Sequence, residues 1–304
     1  MEKHSYKIHT LACVALFTAG NAAIMQPFYG KSNFLAVFLL TALFSAFFAL
    51  LSLAVVNLAF KESDSRFRKT LRYIIAATAV LAAIYGAFST VFDYVTFLGK
   101  AQLPQMHTAL IALVMLGFIA VFIKISHTAI LKYCLFMAAL SVAVVILLFG
   151  VSVKLFDFAA LTLDASLSGS DCALSFKCFL KYFSPVLAAV LFVTLANGKT
   201  KAVDIWGGLG VGFLILLITV VQSVLILGNS GGYEFSYLYA VSVFSSGNLF
   251  SRLDGFVYFL FFATSTVKIA ICAKLLPLII RRLVYTKHFQ WKTNKLLTKL
   301  IKTI

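Results

Sequence analysis

Charge is what this sequence has least of. Only 12% of its 304 residues are charged, and Asp and Glu together number ten. Soluble domains carry about 25% charged residues, so a water-facing globular surface is excluded. Carboxylates this sparse leave no acidic cluster for a hard metal and no carboxylate pair inside an apolar run for acid–base chemistry. Four prolines and no low-complexity stretch leave no linker to divide the chain, which reads as one domain. The five cysteines form no CxxC motif or Cys/His cluster of the kind that holds zinc. HExxH and GxSxG are also missing, so neither catalysis nor a cofactor is expected.

Hydrophobic residues fill that space. They make up 62% of the chain, 31 of them phenylalanine, and the mean hydropathy is +1.00. This is the composition of an integral membrane protein. The net charge of +16 does not point to nucleic acid, because the basic residues lie between apolar runs rather than on a soluble domain. Eight runs approach or exceed the ~20 residues a spanning helix needs: 8–27, 33–60, 73–93, 107–123, 129–150, 181–197, 204–228 and 253–280. With the N-terminus cytoplasmic, eighteen Lys and Arg fall on inner segments and six on outer ones. The positive-inside rule then places both termini in the cytoplasm. The first run continues past the small residues of "TAGNAA" with no A-x-A site, so it is read as a retained span.

Two runs carry helix-breaking residues. "TAGNAAIMQP", Thr18 to Pro27, places Gly20 and Asn21 inside the first span and a proline at its end. In lipid a broken helix persists only beside protein or a wet cavity, where transporters use the freed backbone to bind solute. Gly20 equally permits close helix packing. In the sixth span Ser184 and Pro185 stand near one end, either as a second break or as a harmless proline in the first helical turn. "DIWGGLGVGF" supplies Gly207, Gly208, Gly210 and Gly212 for close helix contact; no Lys-Ser/Thr follows, so it is not a phosphate loop.

Lys268 lies in the middle of the last span, about 20 Å from either end, too far for its stem to reach water. Lys274 stands closer to the inner boundary and can snorkel to it. Thr264 and Ser265, at i−4 and i−3, share the face of Lys268, so "ATST" makes a polar stripe directed inward. Lys268 can replace a mobile cation, anchor a hydrogen-bond network, meet a ligand carboxylate, or simply pack against a buried carbonyl.

Other polar residues read as ordinary surface. Asp157, Asp164 and Asp171 are spaced by seven in an outer loop, 151–180, and are read as solvated. Cys172 and Cys178 share that loop and would bond only in an oxidising compartment. Arg252 and Asp254 form an interfacial pair, and His107 and His127 sit at span edges. The aromatic segment 233–250 reads as a short interfacial helix over the outer vestibule. The tail 281–304, with Trp291 and leucines at helical spacing between lysines, reads as an amphipathic segment on the inner leaflet.

Four stretches, in order along nearly the whole chain, resemble the endospore germination permeases, the membrane subunits of germinant receptors in the amino acid–polyamine–organocation superfamily. They are "GNAAIMQP", "LPQMHTALIALVMLGFIAVFIKISHTAILK", "FSPVLAAVLFVTLANGKTKAV" and "SVFSSGNLFSRLDGFVYFLFFATSTVKIA". The chain departs from that pattern in several places. "LPQMH" lacks the family's Thr-Pro, and Leu187-Ala188 replaces a polar or glycine-containing pair. Ser126 stands for a glycine, Phe261 stands for a tryptophan, and eight spans stand for ten. The resemblance implies an all-α, polytopic bundle like an incomplete five-plus-five inverted-repeat transporter, in the cell or spore inner membrane. It implies a small nutrient of the amino acid class bound near Thr18, Gly20, Asn21, Ala22, Ser184, Pro185, Thr264, Ser265 and Lys268. The partners implied are a large membrane-attached subunit and a lipoprotein. Secondary active amino acid transport and a truncated, non-functional paralogue are the alternative readings.

Overall fold

The computed structural model describes residues 2–20, 33–60, 66–101, 107–160, 166–197, 200–228, 235–245 and 254–285. Among them every regular element is helical and no strand occurs. The α-helices are α1 (Glu2–Ala19), α2 (Phe34–Phe60), α3 (Arg66–Ala101), α4 (Thr108–Lys124), α5 (His127–Ser152), α6 (Gly169–Cys178), α7 (Ser184–Asn197), α8 (Ala202–Leu227), α9 (Ser236–Ser245) and α10 (Asp254–Tyr285). A π-helical segment, Phe179–Phe183, joins α6 to α7 without a break.

Six helical stretches are long and apolar enough to cross a membrane, and the protein is an integral membrane protein. Two more of the expected spans, Lys7–Ala19 and Thr108–Lys124, are apolar but shorter. The large side chains on the outside suit this setting. Leu43, Phe47, Leu81, Phe88, Phe92, Leu113 and Phe136 are exposed, a surface that fits lipid tails and not water.

Burial separates an inner set of helices from an outer one. In the most apolar stretch of α6–α7 78% of residues are buried, against 28% in α3. The inner helices α1, α7, α8 and α10 therefore carry the core. Helix α1 packs chiefly on α8, with α5 and α7 beside it, and α10 packs on α3, α7 and α4. Glycine makes the first contact close. A methyl group placed on Gly208 would stand 2.7 Å from the Leu11 carbonyl oxygen, and one on Gly212 2.5 Å from Thr18 Cβ. Gly207 meets Leu11 in the same way, whereas Gly210 faces open space. Three of the four glycines thus serve the seam, and the fourth does not.

Several boundaries differ from the sequence reading. Helix α1 is described to Ala19 with Gly20 in a turn, and the expected end at Pro27 lies outside the described residues. Helix α3 is longer than the expected 73–93, which brings Asp93 inside it. The sixth span begins at Gly169, not at 181. Ser168 and Asp171 form a reciprocal capping box that starts a helix in a stretch read as loop. Asp171 is accordingly buried and accepts a hydrogen bond of 2.8 Å from Asn33 Nδ2. It is not solvated, whereas Asp157 is exposed and Asp164 lies outside the described residues. Cys172 is exposed, Cys178 is buried, and the two form no disulfide. Arg252, Trp291 and the rest of the tail beyond 285 also lie outside the described residues.

Candidate functional site

The site begins where α1 stops. The amide of Gly20 closes the last turn on the Leu16 carbonyl at 2.9 Å. The carbonyls at the end of a helix lack intrahelical partners and carry partial negative charge. Opposite this end lies α10. A methyl group on Gly20 would stand 3.0 Å from both Thr264 Cβ and Lys268 Cε. A side chain at Gly20 would crowd the Lys268 stem and Thr264. Lys268 thus passes across the C-terminal end of α1, where a cation is favoured. Its polar stripe is buried throughout: Thr264, Ser265, Thr266 and Lys268 are each less than 5% exposed.

Beside this contact lies a partly open cavity enclosing about 400 Å³ of empty space, its mouth included. It is lined by Ala19 and Gly20 of the α1 end, Ser141 of α5, Ile215 of α8, Tyr237 of α9 and Thr264 of α10. Two hydroxyls in the wall share one property. Thr264 Oγ1 donates to the Phe261 carbonyl at 3.1 Å and Ser141 Oγ to the Met137 carbonyl at 2.7 Å. Each hydroxyl proton is committed to its own helix, which leaves lone pairs as acceptors for a ligand donor. The segment 233–250 contributes α9, whose Tyr237 lines the cavity.

The structure gathers only part of the expected site. Gly20, Thr264 and Lys268 meet at the end of α1, with Ser265 buried on the same stripe. Thr18 is one turn removed. Its hydroxyl donates to the Val14 carbonyl at 3.0 Å and its Cβ packs on Gly212, so it belongs to the α1–α8 seam. Asn21 and Ala22 lie outside the described residues. Ser184 and Pro185 are absent from the cavity wall.

Pro185 is also not in a first turn. It sits within the continuous helical run from Gly169 to Asn197, directly after the π segment. A proline cannot donate to the carbonyl four residues back, and its ring crowds that carbonyl. The wider π turn relieves this, with the Ser184 amide bonding Phe179 O five residues back. Ser184 Oγ donates to the Leu180 carbonyl at 2.6 Å. Pro185 packs on Gly86 of α3, and Cys272 of α10 closes the same crossing.

Other residues complete the picture. Asp93 lies inside α3, two turns beyond Gly86. Its signal was an acidic residue in an apolar run, but it stood where the run was taken to end. Lys274 is buried and reaches the connection between α4 and α5. Its Nζ donates to the carbonyl of Ile125, the residue that terminates α4, and so caps that helix. Ser126 caps the start of α5, its Oγ accepting from the Ala129 amide at 3.3 Å, which gives a local reason for serine there. His127 meets the Phe192 ring edge-on at 5.9 Å.

No protein-family model matches the chain, and no curated protein matches it.

Proposed function

We propose that this membrane protein binds a small zwitterionic nutrient of the amino acid class inside its helical bundle, as the permease-like subunit of a germinant receptor. The observation that carries the binding reading is the cavity at the end of α1, with a lysine across that end. The chemistry of the wall favours this class of compound. Carbonyls at the end of α1 and hydroxyl lone pairs of Thr264 and Ser141 accept from a ligand ammonium. A zwitterion also enters a low-dielectric site at less cost than an ion of one sign.

Lys268 stands behind Gly20 and Thr264 rather than in the cavity wall. Its role in this reading is to hold the end of α1 in place, as a fixed cation does, more than to touch the ligand. The germination assignment rests on the ordered sequence resemblance. It brings with it the partners, a large membrane-attached subunit and a lipoprotein, the cytoplasmic termini, and the cell or spore inner membrane.

The test is ligand-induced thermal stabilisation of the purified protein across a panel of amino acids and nucleosides, with Lys268→Met alongside. An amino acid is expected to raise the melting temperature of the native protein and to lose most of that effect in the variant. Stabilisation by nucleosides alone would overturn the ligand class. Uptake of the stabilising compound into proteoliposomes, driven by an ion gradient, would replace the receptor reading with secondary active transport. A chain that holds no cooperative fold in detergent would support the non-functional paralogue.

A further inference from the structure

One glutamine lies deep in this bundle, and its amide has one polar atom to spare. Gln222 of α8 has no exposed surface. Its Nε2 donates to the Leu148 carbonyl of α5 at 3.2 Å and to Ser152 Oγ at 3.0 Å. A carbonyl oxygen can only accept, so the nitrogen of the amide, and not its oxygen, must face α5. Ser152 Oγ gives its own proton to the Phe149 carbonyl at 3.0 Å, so toward Gln222 it too accepts. Both hydrogens of Nε2 are thereby used. Oε1 is left buried with no hydrogen-bond partner among the described residues.

The neighbouring hydroxyls have no proton to give it. Thr219 and Ser223 stand three residues before Gln222 and one after it, and both are buried. Thr219 Oγ1 donates to the Leu216 carbonyl at 2.8 Å, and Ser223 Oγ donates to the Thr219 carbonyl at 2.7 Å. What remains is acceptor capacity, on Gln222 Oε1 and on Thr219 Oγ1, which shares its face of α8 at i−3. A buried amide oxygen is rarely left unpaired, least of all inside a membrane protein, where bulk water does not reach it. The partner of Oε1 must therefore be a donor. It must also be small, because Leu148, Ser152, Leu216 and Gln222 have no exposed surface. Water meets both conditions, and buried waters bond to polar groups of this kind.

We infer that Gln222 anchors a buried water site between α5 and α8, where one water donates to Gln222 Oε1 and to Thr219 Oγ1. The site lies two turns from the cavity along both helices: Leu148 follows Ser141 by seven residues, and Gln222 follows Ile215 by seven. It stands whether or not the cavity takes a ligand. It gives α5 and α8 a polar link in an apolar part of the core, where Leu148, Leu216 and Val220 belong to one hydrophobic cluster.

The first test is a crystal structure of the full chain that resolves waters. A density peak is expected about 2.8 Å from Gln222 Oε1. No peak there, or a side-chain donor against the oxygen, would overturn the inference. A peak that appears only after an amino acid is added would assign the oxygen to a ligand ammonium and overturn the water. The second test is X-ray radiolysis of the full chain in detergent, in which radicals formed from a bound water oxidise the residues beside it. Leu148 should be labelled several-fold faster than Leu16 and Leu275, which are as deeply buried. Gln222→Met should bring Leu148 down to their rate. Thr219→Val keeps the bonds of Gln222 to α5 and should slow the labelling as well, so the site remains testable if Gln222→Met does not fold. Equal rates at the three leucines of the native protein, or labelling of Leu148 unchanged in the folded variants, would sink the water site.

Discussion

The seam between α1 and α8 and the crossing of α3, α7 and α10 are both close contacts, made by different means. Along the seam, Gly207, Gly208 and Gly212 remove side chains so that Leu11, Val14 and Thr18 can approach. None of these six residues is charged. At the crossing a single glycine, Gly86, admits a proline and a thiol, and the next turns carry an aspartate and two lysines. The comparison shows how helices associate in lipid. Apolar side chains gain little by leaving lipid tails for protein, so helices are joined by close backbone approach or by polar groups that lipid rejects. The seam uses the first device and the crossing the second. Only the second leaves a charge that function can use.

The comparison can be broken first at the seam. Gly212→Val would place side-chain atoms against Thr18 Cβ at 2.5 Å and the Ala15 carbonyl at 2.9 Å. The backbone on one side cannot yield, so about 3 kcal/mol or more of stability should be lost, read as a fall in melting temperature in detergent. A variant that melts like the native protein would show that α1 and α8 are not in this contact.

The crossing should be more forgiving. Gly86→Ala meets Cys272 Sγ at 3.2 Å, where a rotation of one side chain provides room. A loss of about 1 kcal/mol is expected, and Cys272→Ala in the same chain should recover most of it. A loss as large as that of Gly212→Val would mean the crossing is as rigid as the seam.

The smallest effect should have the opposite sign. Gly210 lies on the same helix as Gly208 and Gly212 but has nothing within 4 Å of an added methyl group. Gly210→Ala is expected to be neutral or to stabilise by roughly 0.5–1 kcal/mol through helix propensity. A clear loss would reveal a further contact on that face of α8.

Much of this architecture is legible from local pattern. Hydropathy locates the helices, because a span must hide its backbone in a continuous apolar run whatever its neighbours are. The inward direction of Thr264, Ser265 and Lys268 follows from helical period and from the cost of a lysine in lipid. The start of α6 was also written locally, in the Ser168–Asp171 capping box, but its polar residues resemble those of a loop. The end of α3 was misplaced for the converse reason. Asp93 looks like a boundary, yet α3 continues past it to Ala101.

By itself the sequence determined that this is a helical membrane protein, where most of its helices run, and that Lys268 is turned away from lipid. These follow from the energetics of single residues and single helices in a bilayer. Only the tertiary structure decided that Gly20 yields its space to the Lys268 stem and that Thr18 serves the seam instead of the cavity. Those are contacts between helices far apart in the chain. A contact of that kind depends on how helices rotate and cross, and no local period records it.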